Sequence, residues 1–265
     1  MENFLLGAMQ GLTEFLPVSS SGHLVLLHSI FGTSPDDMAF DAVLQLATVL
    51  AVIIYFRRDI YTLVNTLLRR MSRLPVNEKE IVLAYALIIG TIPAIIVGLL
   101  LESYMETIFR NPLLVAGVLV AGSVLFIFAE WHYRNTRRDD RITIAKGLKI
   151  GLFQCLALIP GMSRSGASIA GGMLLGLSRA ESARFSFLLA VPVIAGSGMK
   201  KLLELATSST TIDWTNLAIA GTTAFLAGLF AIHFMLSFVR RHTLWPFIWY
   251  RVALASVVVM AVYLQ

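Results

Sequence analysis

The most restrictive feature of this sequence is that its apolar residues come in blocks of bilayer-crossing length. Stretches at 39–56, 82–101, 113–131, 185–203, 216–236 and 244–264 run close to the roughly 20 residues a helix needs to cross the hydrocarbon core. Few charges interrupt them. Of the 265 residues, 57% are hydrophobic and 14% charged, whereas a soluble domain carries about a quarter charged residues. In lipid every backbone polar group must be paired inside the structure, so the blocks predict an all-α polytopic membrane protein. One membrane domain over 1–265 accounts for the chain. Met1-Glu2-Asn3 lacks a positive n-region, so no cleavable leader is expected.

Two further apolar regions, 3–31 and 147–178, behave differently. Each is about 30 residues long and broken in its middle by Pro, Gly and Ser. The first break is Leu16-Pro17-Val18-Ser19-Ser20-Ser21-Gly22; the second is Pro160-Gly161-Met162-Ser163-Arg164-Ser165-Gly166. The halves are too short to cross, which is the pattern of a re-entrant helical hairpin. The regions also match each other: Gly7, Gln10, Ser19, Ser21 and Gly22 fall on Gly151, Gln154, Ser163, Ser165 and Gly166 at a constant offset of 144. Three spans follow each region. The expected fold is therefore two repeats, about 1–131 and 147–265, each a re-entrant hairpin plus three transmembrane helices. Three is odd, so the second repeat is inverted relative to the first, a plan in which broken helices meet near the midplane.

Loop charge agrees with this count. If both hairpins return to the side they came from, loops 57–81, 132–146, 179–184 and 237–243 share one side. That side holds most of the basic residues, including Arg57, Arg58, Arg69, Arg70, Arg137, Arg138, Arg141, Arg240 and Arg241. The opposite side holds Asp36, Asp37, Glu102, Glu106 and Asp213, with Arg110, Lys200 and Lys201 as its candidate bases. The positive-inside rule then places the basic side in the cytoplasm and both termini outside. Arg179 and Arg184 read as topology determinants. The net charge of +5 is loop charge of this kind and implies a bilayer, not a nucleic acid, as partner.

Glu14, His23, Arg164 and, at the margin, Asp41 are ionisable residues at membrane depth. Such charges cost several kcal/mol and mark functional sites. The plainest alternative is a buried Glu14–Arg164 ion pair that only holds the repeats together. Each break ends at a new helix N-terminus, which offers free N–H groups to an anion. The serines there serve as caps in the simplest reading. Arg164 adds a planar fork suited to phosphate oxygens. A carboxylate, an imidazole, a hydroxyl and a guanidinium at two helix N-termini suit phosphoryl chemistry.

The strings Gln10-x-x-x-Glu14-Phe15-Leu16-Pro17-Val18-Ser19-Ser20-Ser21-Gly22-His23, Pro160-Gly161-Met162-Ser163-Arg164-Ser165-Gly166 and Phe187-Leu188-Leu189-Ala190-Val191-Pro192 closely resemble the bacterial undecaprenyl-pyrophosphate phosphatase family, also called the bacitracin-resistance protein family. The resemblance covers nearly the whole chain. It implies hydrolysis of undecaprenyl pyrophosphate to undecaprenyl phosphate and inorganic phosphate, which recycles the cell-wall lipid carrier. It also implies a divalent cation, Mg²⁺ or Ca²⁺, and an active site opening to the periplasmic face of the bacterial inner membrane. The family's acidic motif is (E/Q)-x-x-x-E, and this chain has Gln10 at its first position.

The implied roles are as follows. Glu14 binds the metal or orients the nucleophile, with Gln10 offering a weaker carbonyl ligand. His23 is general base or acid, and Ser20 is the nucleophile unless water attacks directly. Arg164 neutralises the pyrophosphate, helped by Ser21, Ser163, Ser165 and the backbone at Gly166. A transporter or flippase of a phosphorylated polyprenyl lipid is the competing reading, because inverted repeats with broken helices are a transporter plan. Such a protein has no use for Glu14 and His23 beside a serine. Oligomeric state is left open by the sequence.

Overall fold

The computed structural model describes residues 1–20, 22–23, 38–101, 111–207 and 213–263. Ten α-helices are bounded within these residues: α1 Glu2–Phe15, α2 Met38–Tyr55, α3 Arg57–Met71, α4 Glu78–Leu100, α5 Pro112–Asn135, α6 Ile144–Cys155, α7 Arg164–Leu174, α8 Arg179–Thr207, α9 Trp214–Val239 and α10 Trp245–Tyr263. Caps mark their starts where the sequence turns polar. Asn77, Asn111, Thr143 and Asp213 each accept a hydrogen bond from a backbone N–H of the first turn of α4, α5, α6 and α9.

Helices α4, α5, α8 (through Leu203), α9 and α10 are long and apolar enough to cross a membrane. The chain is thus a multi-pass membrane protein. Helix α2 has 18 residues, about 27 Å of length, and corresponds to the block read at 39–56. The exposed large side chains are those expected against lipid, among them Ile88, Ile92, Ile95, Leu99, Leu226, Phe230, Val257 and Met260. Trp131, Trp214 and Trp249 are exposed near helix ends, the usual place for interfacial anchors.

The broken regions yield short helices. Helices α1, α6 and α7 have 14, 12 and 11 residues, about 16–21 Å each, against a hydrocarbon core of about 30 Å. Both α1 and α6 lie against long helices through small residues. A methyl at Gly7 would strike the Ala220 carbonyl of α9, and one at Gly151 the Gly90 carbonyl of α4. Side-chain-free contact of this kind lets two backbones approach closely where lipid supplies no hydrophobic drive. Helix α7 is buried from Ser165 to Met173 and packs between α5, α6 and α8. Its run of Gly, Ala and Ser makes that position sterically feasible. Helix α2 packs on α8 and α9, and α5 on α10.

Hydrogen bonds join the basic loops at one end of the bundle. Asp139 N–H donates to the Gly176 carbonyl at 2.9 Å, and Ser178 N–H to Asp140. Arg179 makes a two-pronged ion pair with the buried Glu130 (2.8 and 2.5 Å) and lies 4.0 Å over the Tyr133 ring. Glu130 also accepts from Leu244 N–H at 2.8 Å. Arg184 pairs with Asp59 and Glu181. Arg179 and Arg184, read as topology determinants alone, therefore also fasten α5, α8, α10 and the start of α3. Outside the membrane-spanning helices, Asp139 has its carboxyl held below the usual range, chiefly by the Arg141 side chain that donates to it.

Candidate functional site

The two breaks are built alike. Ser19 and Ser163 both have positive φ, 74° and 73°, a strained backbone for any residue but glycine. Each caps the helix that follows. The Ser19 hydroxyl accepts from Gly22 N–H at 3.3 Å, and the Ser163 hydroxyl from Gly166 N–H at 3.2 Å. The cap satisfies one of the N–H groups left open at the helix start. Capping is the simpler expectation for these serines, and it describes Ser19 and Ser163, one in each break. Ser165 adds a tie between breaks, donating to the Leu16 carbonyl at 3.2 Å.

Glu14 is the centre of the polar cluster. Its side chain is 4% exposed. One oxygen, Oε1, accepts from Arg164 at 2.5 Å. The other, Oε2, accepts from the Gln10 amide at 2.9 Å and from the Ser20 hydroxyl at 3.1 Å. Three predicted site residues, Gln10 of α1, Ser20 of the first break and Arg164 of the second, thus meet on the carboxylate of a fourth. Arg164 keeps 22% of its side chain exposed, against 4% for the carboxylate it pairs with. A small cavity adjoins the pair, lined by Glu14, Arg164, Ser165, Ser186, Phe187, Ala190 and Ile194. The Phe187–Pro192 string therefore has a structural role: α8 forms the apolar wall of this cavity. Phe187 meets Phe15 edge to face, with ring centroids 5.5 Å apart.

His23 has other partners. It is buried, with Nδ1 2.7 Å from the Ser19 carbonyl and Nε2 2.7 Å from the Tyr250 hydroxyl. Among the described residues no hydrogen bond joins His23 to Glu14 or Ser20, and the neighbouring Ser19 and Ser20 serve the two groups separately, Ser19 accepting from His23 and Ser20 donating to Glu14. Ser21 lies outside the described residues, as do Asp36, Asp37 and His28. Asp41 lies in α2, with its side chain outside them.

Two residues of α10 escaped the sequence reading. Tyr250 holds His23. Arg251, fully buried, spends all five N–H donors on backbone carbonyls. Nε and Nη2 reach Leu119 O, Nη1 reaches Pro17 O and Met162 O, and Nη2 also reaches Gly161 O, at 2.9–3.4 Å. One guanidinium therefore ties the first break, the second break and α5 together. Gly122 is small because any side chain there would collide with Arg251. The signal was present, since an arginine in an apolar block is the same anomaly that singled out Arg164. Glu130, also buried, was passed over in the same way.

A metal was expected on Glu14 and Gln10. The fit rests on one atom: Gln10 Oε1 is buried with no hydrogen-bond partner among the described residues. Its amide nitrogen is committed to Glu14, so the carbonyl oxygen is the open end. No group of three or more His, Cys, Asp or Glu side chains gathers for a metal among the described residues. Mg²⁺ is commonly held by one or two protein oxygens plus substrate phosphate, and the donor set fits that mode.

Comparison with known proteins agrees with the motifs. The family model described as bacitracin resistance protein BacA matches residues 3–257. An undecaprenyl-diphosphatase of Marinobacter nauticus is 39% identical over 257 residues, covering 96% of this chain and 95% of that protein. One of Rubrobacter xylanophilus is 42% identical over 262 residues, covering 97% and 96%. One of Kineococcus radiotolerans is 41% identical over 265 residues, covering 97% and 92%.

Proposed function

The chain belongs to the bacitracin resistance protein BacA family, and on that premise we propose how its residues hydrolyse undecaprenyl pyrophosphate to undecaprenyl phosphate and inorganic phosphate. It is a membrane-embedded phosphoric anhydride hydrolase whose substrate is a polyprenyl pyrophosphate lipid. The observation that carries the site assignment is the buried Glu14 carboxylate, which receives Ser20 on one oxygen and Arg164 on the other.

Arg164 turns its fork to the pyrophosphate and neutralises it. The Ser20 oxygen attacks the terminal phosphorus, its proton passing to Glu14. The bridging P–O bond breaks, and undecaprenyl phosphate leaves. Water then releases inorganic phosphate from Ser20, with His23 as general base or acid. Direct attack by water held at Glu14 is the competing route. Trapped phosphoserine at position 20 selects the first, and its absence in rapid-quench samples selects the second. Glu14 and Gln10 would hold Mg²⁺ or Ca²⁺, which supplies charge screening to the phosphate oxygens. Ser163, Ser165, Ser21 and the Gly166 backbone complete the anion cradle, and the apolar α8 wall accepts the start of the prenyl chain.

The proposed topology is two inverted repeats, each with a re-entrant hairpin, both termini periplasmic and the site opening to the periplasm. Support comes from the shortness of α1, α6 and α7 and from the Asp139–Gly176 bond at the open end of the α6–α7 pair. Reciprocal packing, α1 on α9 and α6 on α4, is what a two-fold relation between repeats requires. In a Cys155→Ser background, Asp213→Cys should react with an impermeant thiol reagent on intact cells and Asp139→Cys should not. The reverse labelling pattern would invert the topology.

The deciding test of function is phosphate release from undecaprenyl pyrophosphate by detergent-purified protein, with and without Mg²⁺ or Ca²⁺, alongside His23→Ala. Cation-dependent release lost in the variant supports enzyme and site together. No release by folded wild type under any cation moves the weight to lipid transport.

A further inference from the structure

Beyond the Glu14 cluster, one buried titratable group has a partner that the proposed chemistry leaves unused. The Ser19 carbonyl can only accept a hydrogen bond, so the His23 nitrogen facing it, Nδ1, carries a proton. In the neutral ring Nε2 is then the lone-pair nitrogen, and the Tyr250 hydroxyl 2.7 Å away donates to it. The two rings also stack, 5.5 Å between centroids and 12° between planes. His23 is 4% exposed, whereas Tyr250 is 47% exposed. A proton bound for Nε2 must therefore pass through the Tyr250 hydroxyl or displace it.

We infer that Tyr250 is a positioning residue for phosphate hydrolysis: its hydroxyl and stacked ring hold the imidazole of His23 from the Nε2 side, while the Ser19 carbonyl fixes the proton on Nδ1. Arg251, the next residue on α10, locks the helix to both breaks, so the Tyr250 ring is held at the height of His23. The inference rests on the phosphatase reading and on a proton-transfer role for His23.

The test measures phosphate release from undecaprenyl pyrophosphate for Tyr250→Phe, His23→Gln and the double variant. It adds the ¹⁵N side-chain resonances of His23 in detergent. Tyr250→Phe keeps the ring stack and removes only the hydroxyl. The expected result is a kcat about 10–100-fold lower, the scale of losing a group that orients a functional histidine, with KM within about twofold. The same change in the His23→Gln background should cost nothing further. The wild-type spectrum should show one tautomer, protonated at Nδ1, and Tyr250→Phe should shift the Nε2 resonance as its hydrogen bond is lost. Wild-type kcat in Tyr250→Phe, an equal loss in the double variant, or full activity in His23→Gln each overturns the inference. If wild type itself releases no phosphate, the phosphatase reading fails, and the resonances still decide the tautomer assignment.

Discussion

The two breaks share a scaffold and divide the chemistry. Both turn at a serine of positive φ, both cap with that serine onto a glycine N–H three residues on, and both lend carbonyls to Arg251. At matched positions the functional side chains differ. Ser20 in the first stands where Arg164 stands in the second, His23 where Ala167 stands, and Glu14 where Leu158 stands. Gln10 and Gln154 are the same residue in unlike settings. Gln10 donates to Glu14, whereas Gln154 is buried with neither amide atom partnered among the described residues. The same turn geometry occurs twice, and the side chains it carries make one break the carboxylate-and-hydroxyl half of the proposed site and the other its cationic half.

The comparison breaks first at the residues that differ. Glu14→Gln and Arg164→Ala should each lower phosphate release by at least about 10³-fold, since both remove charge aligned with the reacting group. Arg164→Ala should stay folded by its far-UV circular dichroism and gel-filtration profile. If it does not fold, the Glu14–Arg164 pair is chiefly structural and the division of chemistry fails.

Next comes the element the breaks share. Arg251→Met removes five hydrogen bonds to four buried carbonyls. A loss on the order of 3 kcal/mol or more is expected, read as a lower midpoint of thermal unfolding together with lost activity. A stable, active variant would show that each break holds its shape alone.

A smaller effect tests the likeness directly. Ser19→Ala and Ser163→Ala should each cost about 1 kcal/mol through the lost cap. Ser19→Gly and Ser163→Gly should cost less, because glycine tolerates positive φ. Thermal denaturation of the four variants ranks them. Unequal costs at the two positions would mean the scaffolds are alike in outline only. Smallest of all is Gln154→Leu. Removing an unpartnered buried amide should leave activity intact and stability unchanged or slightly raised, as read by the same melt. A marked loss would reveal a partner for Gln154.

Much of this was legible because lipid makes sequence patterns blunt. Spans, breaks and the basic side of the bundle follow from the cost of leaving backbone or charge unpaired in hydrocarbon. Arg164 and Glu14 stood out for that reason, and they do meet. The same rule applied evenly would have marked Arg251 and Glu130. Both sit within or at the end of apolar blocks, where a single charge is easily passed over as an interruption. Tyr250 could not have been found this way. A tyrosine near a span end reads as an interfacial anchor, and its bond to His23 joins residues 227 apart, a pairing set by how α10 packs, not by any local pattern. The direction of His23 was likewise hidden, because adjacency to a helix start says nothing of which side the ring takes.

Arg251 also has a temporal meaning. Pro17 must wait 234 residues for the guanidinium that holds it, and Gly161 and Met162 wait 90 and 89. The ribosome delivers the clasp with α10, so both breaks lack their common fastening until that helix is made. Contacts of such sequence separation form late. A chain made only as far as α9 would therefore hold both breaks without the guanidinium that joins them.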